Sequence, residues 1–235
     1  STCTSGSSVA PGAPLVAVCA RITRHTSIRV LQEWIVWNRL KGVSAVFLFS
    51  SANSESTQPA EVNFIKYVAE PWKEATEKLA QQGFNVTVVA DQSVAVDAQC
   101  EVAFSDHLAT LSAAGTIVSE AWFAALNVDE FMGFPQDELQ CATDYFSSAK
   151  NTLLADKNVV RLPWASIGHY GELLSKARTQ LDRTFFAMGD LRRHSKSSTF
   201  YKCCEGLPQK STAGAMSTPG VSVAVDAGAN ARMLK

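Results

Sequence analysis

The 235-residue chain carries 46% hydrophobic and 18% charged residues, the balance of a globular protein with a sizeable core. Its formal net charge of -1 argues against a broad nucleic-acid surface, and no block of like charges forms an electrostatic tail. No apolar run reaches the roughly 18 residues that span a bilayer.

Residues 1–14 are rich in Ser, Gly, Thr and Pro and read as a flexible linker. Leu15 to Ala20 is a continuous apolar run, the pattern of a buried parallel strand. From Ser27 to about Lys41, Ile28, Leu31, Trp34, Ile35 and Leu40 recur at helical spacing, and Gly42 is a plausible stop. The spacing gives Trp34 and Trp37 a packing role. Ser44 to Phe49 predicts a second strand, followed by a polar turn from Ser50 to Gln58. Pro71 opens a helix that ends near Gly83, and Asn85 to Val89 predicts a third strand. A helix over about Ala98 to Ala114 leads into a fourth strand, Ala121 to Val128. A helix from about Gln136 to Lys150 and a strand from Asn158 to Leu162 complete the clear elements. From Pro163 the pattern weakens, and residues 205–235 read as irregular and incomplete.

This alternation predicts an α/β fold: a Rossmann-like, mostly parallel sheet flanked by helices, with one main domain over residues 15–204. The six cysteines include no CxxC pair, which argues against a zinc knuckle; an even count permits disulfides. Cys19 reads as a simple buried cysteine, and adjacent Cys203 and Cys204 as having separate partners. The sequon Asn85-Val86-Thr87 falls inside a strand, a poor place for glycan attachment. The chain opens at Ser1 rather than Met, the look of a fragment or processed product, so a preceding signal or anchor stays open.

Sites in open α/β sheets form at the carboxyl ends of strands. Here that rule selects the positions after Ala20, Phe49 and Val128. The third is the most informative, because an almost wholly apolar strand runs into Asp129-Glu130. A carboxylate there must be paired, metal-bound or solvated. Two adjacent acids can hold a divalent cation that bridges the phosphates of a nucleotide sugar. Equally, they can begin a loop and cap the next helix. The sequence contains no GxGxxG loop after a strand, no Walker sequence and no GxSxG elbow, which weighs against dinucleotide dehydrogenases, P-loop NTPases and α/β-hydrolases.

Several segments, in order across residues 15–202, resemble glycosyltransferase family 92, whose members have the glycosyltransferase A-type fold. They are Val16 to Ala20, Glu33-Trp34-Ile35, Gly42-Val43, Gln99 with Asp106-His107-Leu108, Trp122 through Phe131, Trp164 with Gly168 and Gly171, and Lys196 to Thr199. The resemblance implies sugar transfer, often of galactose from a UDP donor, onto a glycan acceptor, with Mn2+ or a similar cation. It also implies residence in the secretory pathway, in the Golgi lumen, with any membrane attachment through a segment outside this chain.

By residue, it implies metal contacts from Asp129 and Glu130. Nucleotide-sugar contacts would come from His25, Ser50, Asp106, Asn127 and Lys196, the last within the basic cluster Arg192, Arg193, His194 and Lys196. Trp164 would stack on an acceptor sugar, and His169 and Tyr170 would lie in an acceptor loop bounded by glycines. Glu172 and Asp182 are the candidate catalytic bases, with Asp190 competing. The plain alternatives are a solvated helix face for Asp106 and His107, a core position for Trp164, and ordinary turns for the loop and the basic cluster.

The chain departs from the family at three points. Asn127 replaces an Asp, His25-Thr26-Ser27 replaces Lys-Asn-Glu, and Ser50 replaces an Asp. These losses favour a first alternative, a catalytically weakened sugar- or nucleotide-binding homologue; the second is a metal-dependent nucleotidyltransferase, which shares strand-end acids and metal chemistry.

Overall fold

A computed structural model describes residues 3, 13–23, 26–50, 77–78, 81, 84–92, 94–133, 141–148, 150–167, 191–203, 225–226 and 232–234. The strands are β1 (Leu15–Ile22), β2 (Ala45–Ser50), β3 (Asn85–Ala90), β4 (Ala121–Ala125), β5 (Phe131–Gly133), β6 (Val159–Ile167), β7 (Leu191–Lys202), β8 (Val225–Asp226) and β9 (Arg232–Leu234). The helices are α1 (Ile28–Leu40), α2 (Val96–Ala113) and the single turn α3 (Ala142–Tyr145). Glu77, Lys78 and Gln81 are helical, while the rest of the helix expected over 71–83 lies outside the described residues.

The protein is α/β, but its sheet is mixed rather than mostly parallel. The nine strands run β3-β2-β1-β4-β7-β6-β9-β5, with β8 beside β6. β3, β2, β1 and β4 are parallel to one another. β7 enters antiparallel to both β4 and β6, and β5 is antiparallel to β9. β7 escapes the sequence pattern because its amino-terminal half is Leu-Arg-Arg-His-Ser-Lys. Only near its end do buried Ser198 and Phe200 alternate with less buried neighbours. The segment expected to be irregular contributes β8 and β9 to the sheet.

β1 shows why the central strands read as unbroken apolar runs: it is buried on both faces. Val16, Val18 and Ala20 pack with Leu31, Trp34 and Ile35 of α1. Leu15, Ala17 and Cys19 pack with Cys100, Phe104 and Leu108 of α2. The i, i+4, i+8 spacing of those three α2 residues gives the helix one buried stripe. α1 ends as the sequence predicts. Gly42 takes a positive φ of 79°, and the Val43 amide donates to the Asn38 carbonyl at 3.0 Å, closing the helix. A Cβ on Gly42 would also come within 3.3 Å of the Thr143 hydroxyl and 3.4 Å of Cys141.

Two expected elements are shorter or differently placed. β4 stops at Ala125, and residues 126–130 turn into β5. Of the helix expected over 136–150, only Ala142–Tyr145 is α-helical among the described residues. The buried Asn151 amide donates to the Tyr145 carbonyl at 3.0 Å, which satisfies that helix end and redirects the chain into a 3-10 turn at Thr152–Leu154. β6 continues past Leu162 to Ile167, with a register shift between Pro163 and Ala165 where proline cannot donate to the ladder.

Cys19 is not a simple buried thiol. It is bridged to Cys100, with Cα atoms 5.8 Å apart, and so fastens α2 to β1. A second bridge joins Cys3 and Cys141. Cys203 is also disulfide-bonded, and those four cysteines are not available to it. The sequon asparagine, Asn85, is half-buried and its amide lies 3.3 Å from His107 Nδ1.

Candidate active site at the carboxyl edge of the sheet

β1 has β2 on one side and β4 on the other. Strand order therefore reverses between β1 and β4, which opens a crevice at their carboxyl ends. A cleft of about 290 Å³ lies there, lined by Arg21 of β1, Val96 and Asp97 of α2, Ala125 to Asn127 and Glu130 after β4, and Ser197 to Thr199 with Tyr201 of β7.

The floor is set by the turn that follows β4. The Leu126 amide still donates to the Cys19 carbonyl, and the Glu130 amide then donates back to the Asn127 carbonyl at 3.0 Å. Glu130 is only 2% exposed, and a buried carboxylate requires donors. It accepts from the Asn127 side-chain amide at 2.8 Å, the Asn127 backbone amide at 3.3 Å and the Ser198 hydroxyl at 3.1 Å. Glu130 thus staples the turn to β7. Two tryptophans of α1 hold the same segment from below. Trp34 Nε1 donates to the Glu130 carbonyl and Trp37 Nε1 to the Met132 carbonyl, each at 2.8 Å. These tryptophans pack in the core, as expected, and also fix the height of the turn.

One wall is a polar network at the end of β1. The Arg21 guanidinium grips Asp91 with Nε at 2.7 Å and Nη2 at 3.1 Å, and Nη2 also donates to the Val94 carbonyl. Gln99 donates to Asp91 at 2.7 Å and accepts from the Gln92 amide. The loop between β3 and α2 is thereby tied to β1, and the first turn of α2 is delivered to the cleft.

Asp97 of that first turn and Tyr201 of β7 also line the cleft. Burial raises the Asp97 carboxyl above its ordinary value. Burial, then the nearby Asp97 charge, raises the Tyr201 phenol against smaller opposing effects of Thr199 and Arg161.

The expected site residues divide sharply. Asn127 and Glu130 line the cleft, and Lys196 precedes the lining residue Ser197 in β7, its side chain lying outside the described residues. Asp129 is half-buried at the tip of the turn and is not among the lining residues. Ser50 is buried at the end of β2, in register with Ile22, and does not line the cleft either. Asp106 is exposed nine residues beyond Asp97 on α2, about 13 Å along the axis at 1.5 Å per residue, so the structure does not bring it to the cleft. Its neighbour His107 packs edge-on against Phe47 at 5.9 Å, and burial lowers its pKa. Trp164, expected beyond a strand, sits within β6 in register with Met233. His25, His169, Tyr170, Glu172 and Asp182 lie outside the described residues.

Arg21 and Asp97 are additions to that set. The strand-end rule that selected the position after Ala20 points directly to Arg21, and it reaches Asp97 if extended to the first helical turn after β3. Tyr201 had no local signal, and Ser198, inside the Lys196 to Thr199 segment of the resemblance, had no role of its own there; both depend on where β7 inserts.

The divalent cation implied by the resemblance fits these residues in part. Among the described residues, no three His, Cys, Asp or Glu side chains gather into a metal cluster. Glu130 is a poor ligand because both its oxygens already accept hydrogen bonds. Asp129, half-buried at the tip of the turn, is the carboxylate that would hold such a cation.

Fold and cleft together define an α/β protein with a mixed sheet and a polar crevice at its topological switch point. No family model matches the chain, and no curated protein matches it significantly.

Proposed function

We propose that the protein is a glycosyltransferase of A-type fold that moves a hexose, with galactose the first to test, from a nucleotide-sugar donor to a glycan acceptor. The observation that carries this reading is the cleft between the carboxyl ends of β1 and β4, closed by the Asn127–Glu130 turn. A sugar nucleotide needs hydroxyl and amide partners for its sugar and an anchored turn near its diphosphate. The lining residues Asn127, Ser197, Thr199 and Tyr201 supply such groups.

In this reading Asp129 holds the divalent cation, which would stabilise the departing nucleoside diphosphate. Glu130 keeps the turn rigid instead of binding the metal. Asn127 is compatible with that division, since its amide donates to Glu130, where an aspartate would set two carboxylates against each other. The bridges Cys3–Cys141 and Cys19–Cys100 favour an oxidising compartment, in keeping with the secretory pathway and Golgi lumen.

The decisive experiment is a donor screen with manganese that compares the parent chain with Asp129→Ala. Sugar transfer in the parent and its loss in the variant are expected. Equal activity in both would remove Asp129 from the site.

The engagement of Glu130 also favours a second reading, a binding homologue with weakened catalysis. Calorimetric binding of a sugar nucleotide without turnover would select it. Release of pyrophosphate instead of a nucleoside diphosphate would identify a nucleotidyltransferase.

A further inference from the structure

We propose that Asp97 is the carboxylate with which the cleft grips the hydroxyl groups of the donor sugar, an inference that rests on the glycosyltransferase reading. The other strongly polar groups of the cleft already have partners. Glu130 is bonded to Asn127 and Ser198, and Arg21 is bonded to Asp91 and the Val94 carbonyl. Asp97 is half-buried, lines the cleft, and makes no hydrogen bond or ion pair among the described residues.

An ionised carboxylate is an acceptor only, able to take several O–H donors at once. Leaving it desolvated and unpaired is unfavourable for folding, and a ligand that donates hydroxyls relieves the deficit. A helix-capping role would give it a bond to a backbone amide of the first turn, but the amino end of α2 has no side-chain cap.

The surroundings suit a sugar. Val96, Ala125 and Leu126 offer an apolar surface for ring C–H groups, while Ser197, Thr199 and Tyr201 offer hydroxyls around it. At about 290 Å³ the cleft is near the lower end of small-molecule sites, which fits one sugar unit better than an oligosaccharide.

The test is calorimetry on the full chain with manganese, using UDP alone, UDP-galactose and UDP-glucose, on the parent and on Asp97→Asn. The variant should bind UDP as the parent does and should bind its preferred UDP-hexose about 10- to 100-fold more weakly, the worth of one charged hydrogen bond. Because the substitution removes an unpaired charge, its melting temperature should not fall, which separates lost recognition from misfolding. Unchanged UDP-hexose affinity would overturn the role of Asp97 while leaving the glycosyltransferase reading standing. An equal loss for UDP alone would reassign Asp97 to the nucleotide and overturn it too. A parent that binds no nucleotide sugar removes the glycosyltransferase reading and this proposal with it.

Discussion

The two ends of β4 each carry a glutamate tied to β7, yet they are built for different purposes. At the amino end, Glu120 meets Lys202 at 3.2 Å and accepts the Ser148 amide at 2.8 Å, with the Lys202 ammonium 5.9 Å from the Trp122 ring centre. Burial alone would raise the Glu120 carboxyl, but the Ser148 hydrogen bonds and the Lys202 charge outweigh it and hold it below 4.5. At the carboxyl end, Glu130 is satisfied by neutral donors, and Asp97, which lines the same cleft, forms no ion pair among the described residues. One end neutralises its charge within the fold. The other keeps a desolvated charge facing a cleft, the arrangement expected where a ligand completes the set.

The largest expected effect comes from breaking the frame both ends share. Replacing Cys19 and Cys100 together with alanine removes a link across 81 residues of sequence. It should lower stability by about 4 kcal/mol in a urea titration, on the chain-entropy estimate for a loop of that size. The same titration should show Glu130→Gln to be destabilising by about 2 kcal/mol, because its new amide would face the Asn127 amide and strand two donors. Asp129→Asn, at the half-buried tip of the same turn, should cost less stability than Glu130→Gln while weakening manganese-dependent donor binding. If the two variants swapped these phenotypes, Glu130 would be the metal ligand and the contrast between the two ends would collapse.

Glu120→Gln tests the amino end and should cost about 1–2 kcal/mol at neutral pH through its weakened bonds to Lys202 and Ser148. A carboxylate with a depressed folded pKa stabilises fully above its unfolded value and loses that contribution as pH falls through the folded one. The gap between parent and variant should therefore persist above pH 4.5 and close at lower pH. A gap independent of pH would mean that the Lys202 pair is not the source.

The smallest effect belongs to His107, remote from the cleft. Burial holds its folded pKa below the unfolded 6.5, so the unfolded chain protonates first as pH drops. Stability should decline as pH falls below 6.5, and His107→Gln should flatten that slope.

The sequence by itself determined the parallel core and the α1 stop at Gly42. These are local signals: unbroken apolar runs, a helical period and a glycine at positive φ. Trp34 and Trp37 were legible as packing residues, but not as the donors that position Glu130 and Met132 some 95 residues away. Only the tertiary structure decided the antiparallel insertion of β7, the bonding of Glu130 to Asn127 and Ser198, the bridge at Cys19, and the meeting of Asp97 with Tyr201. Each depends on a partner distant in sequence. A charged strand such as Leu191–Lys202 is held by ladder bonds to β4 and β6 as much as by its own apolar pattern, so its site-forming residues become visible only once the sheet has closed around them.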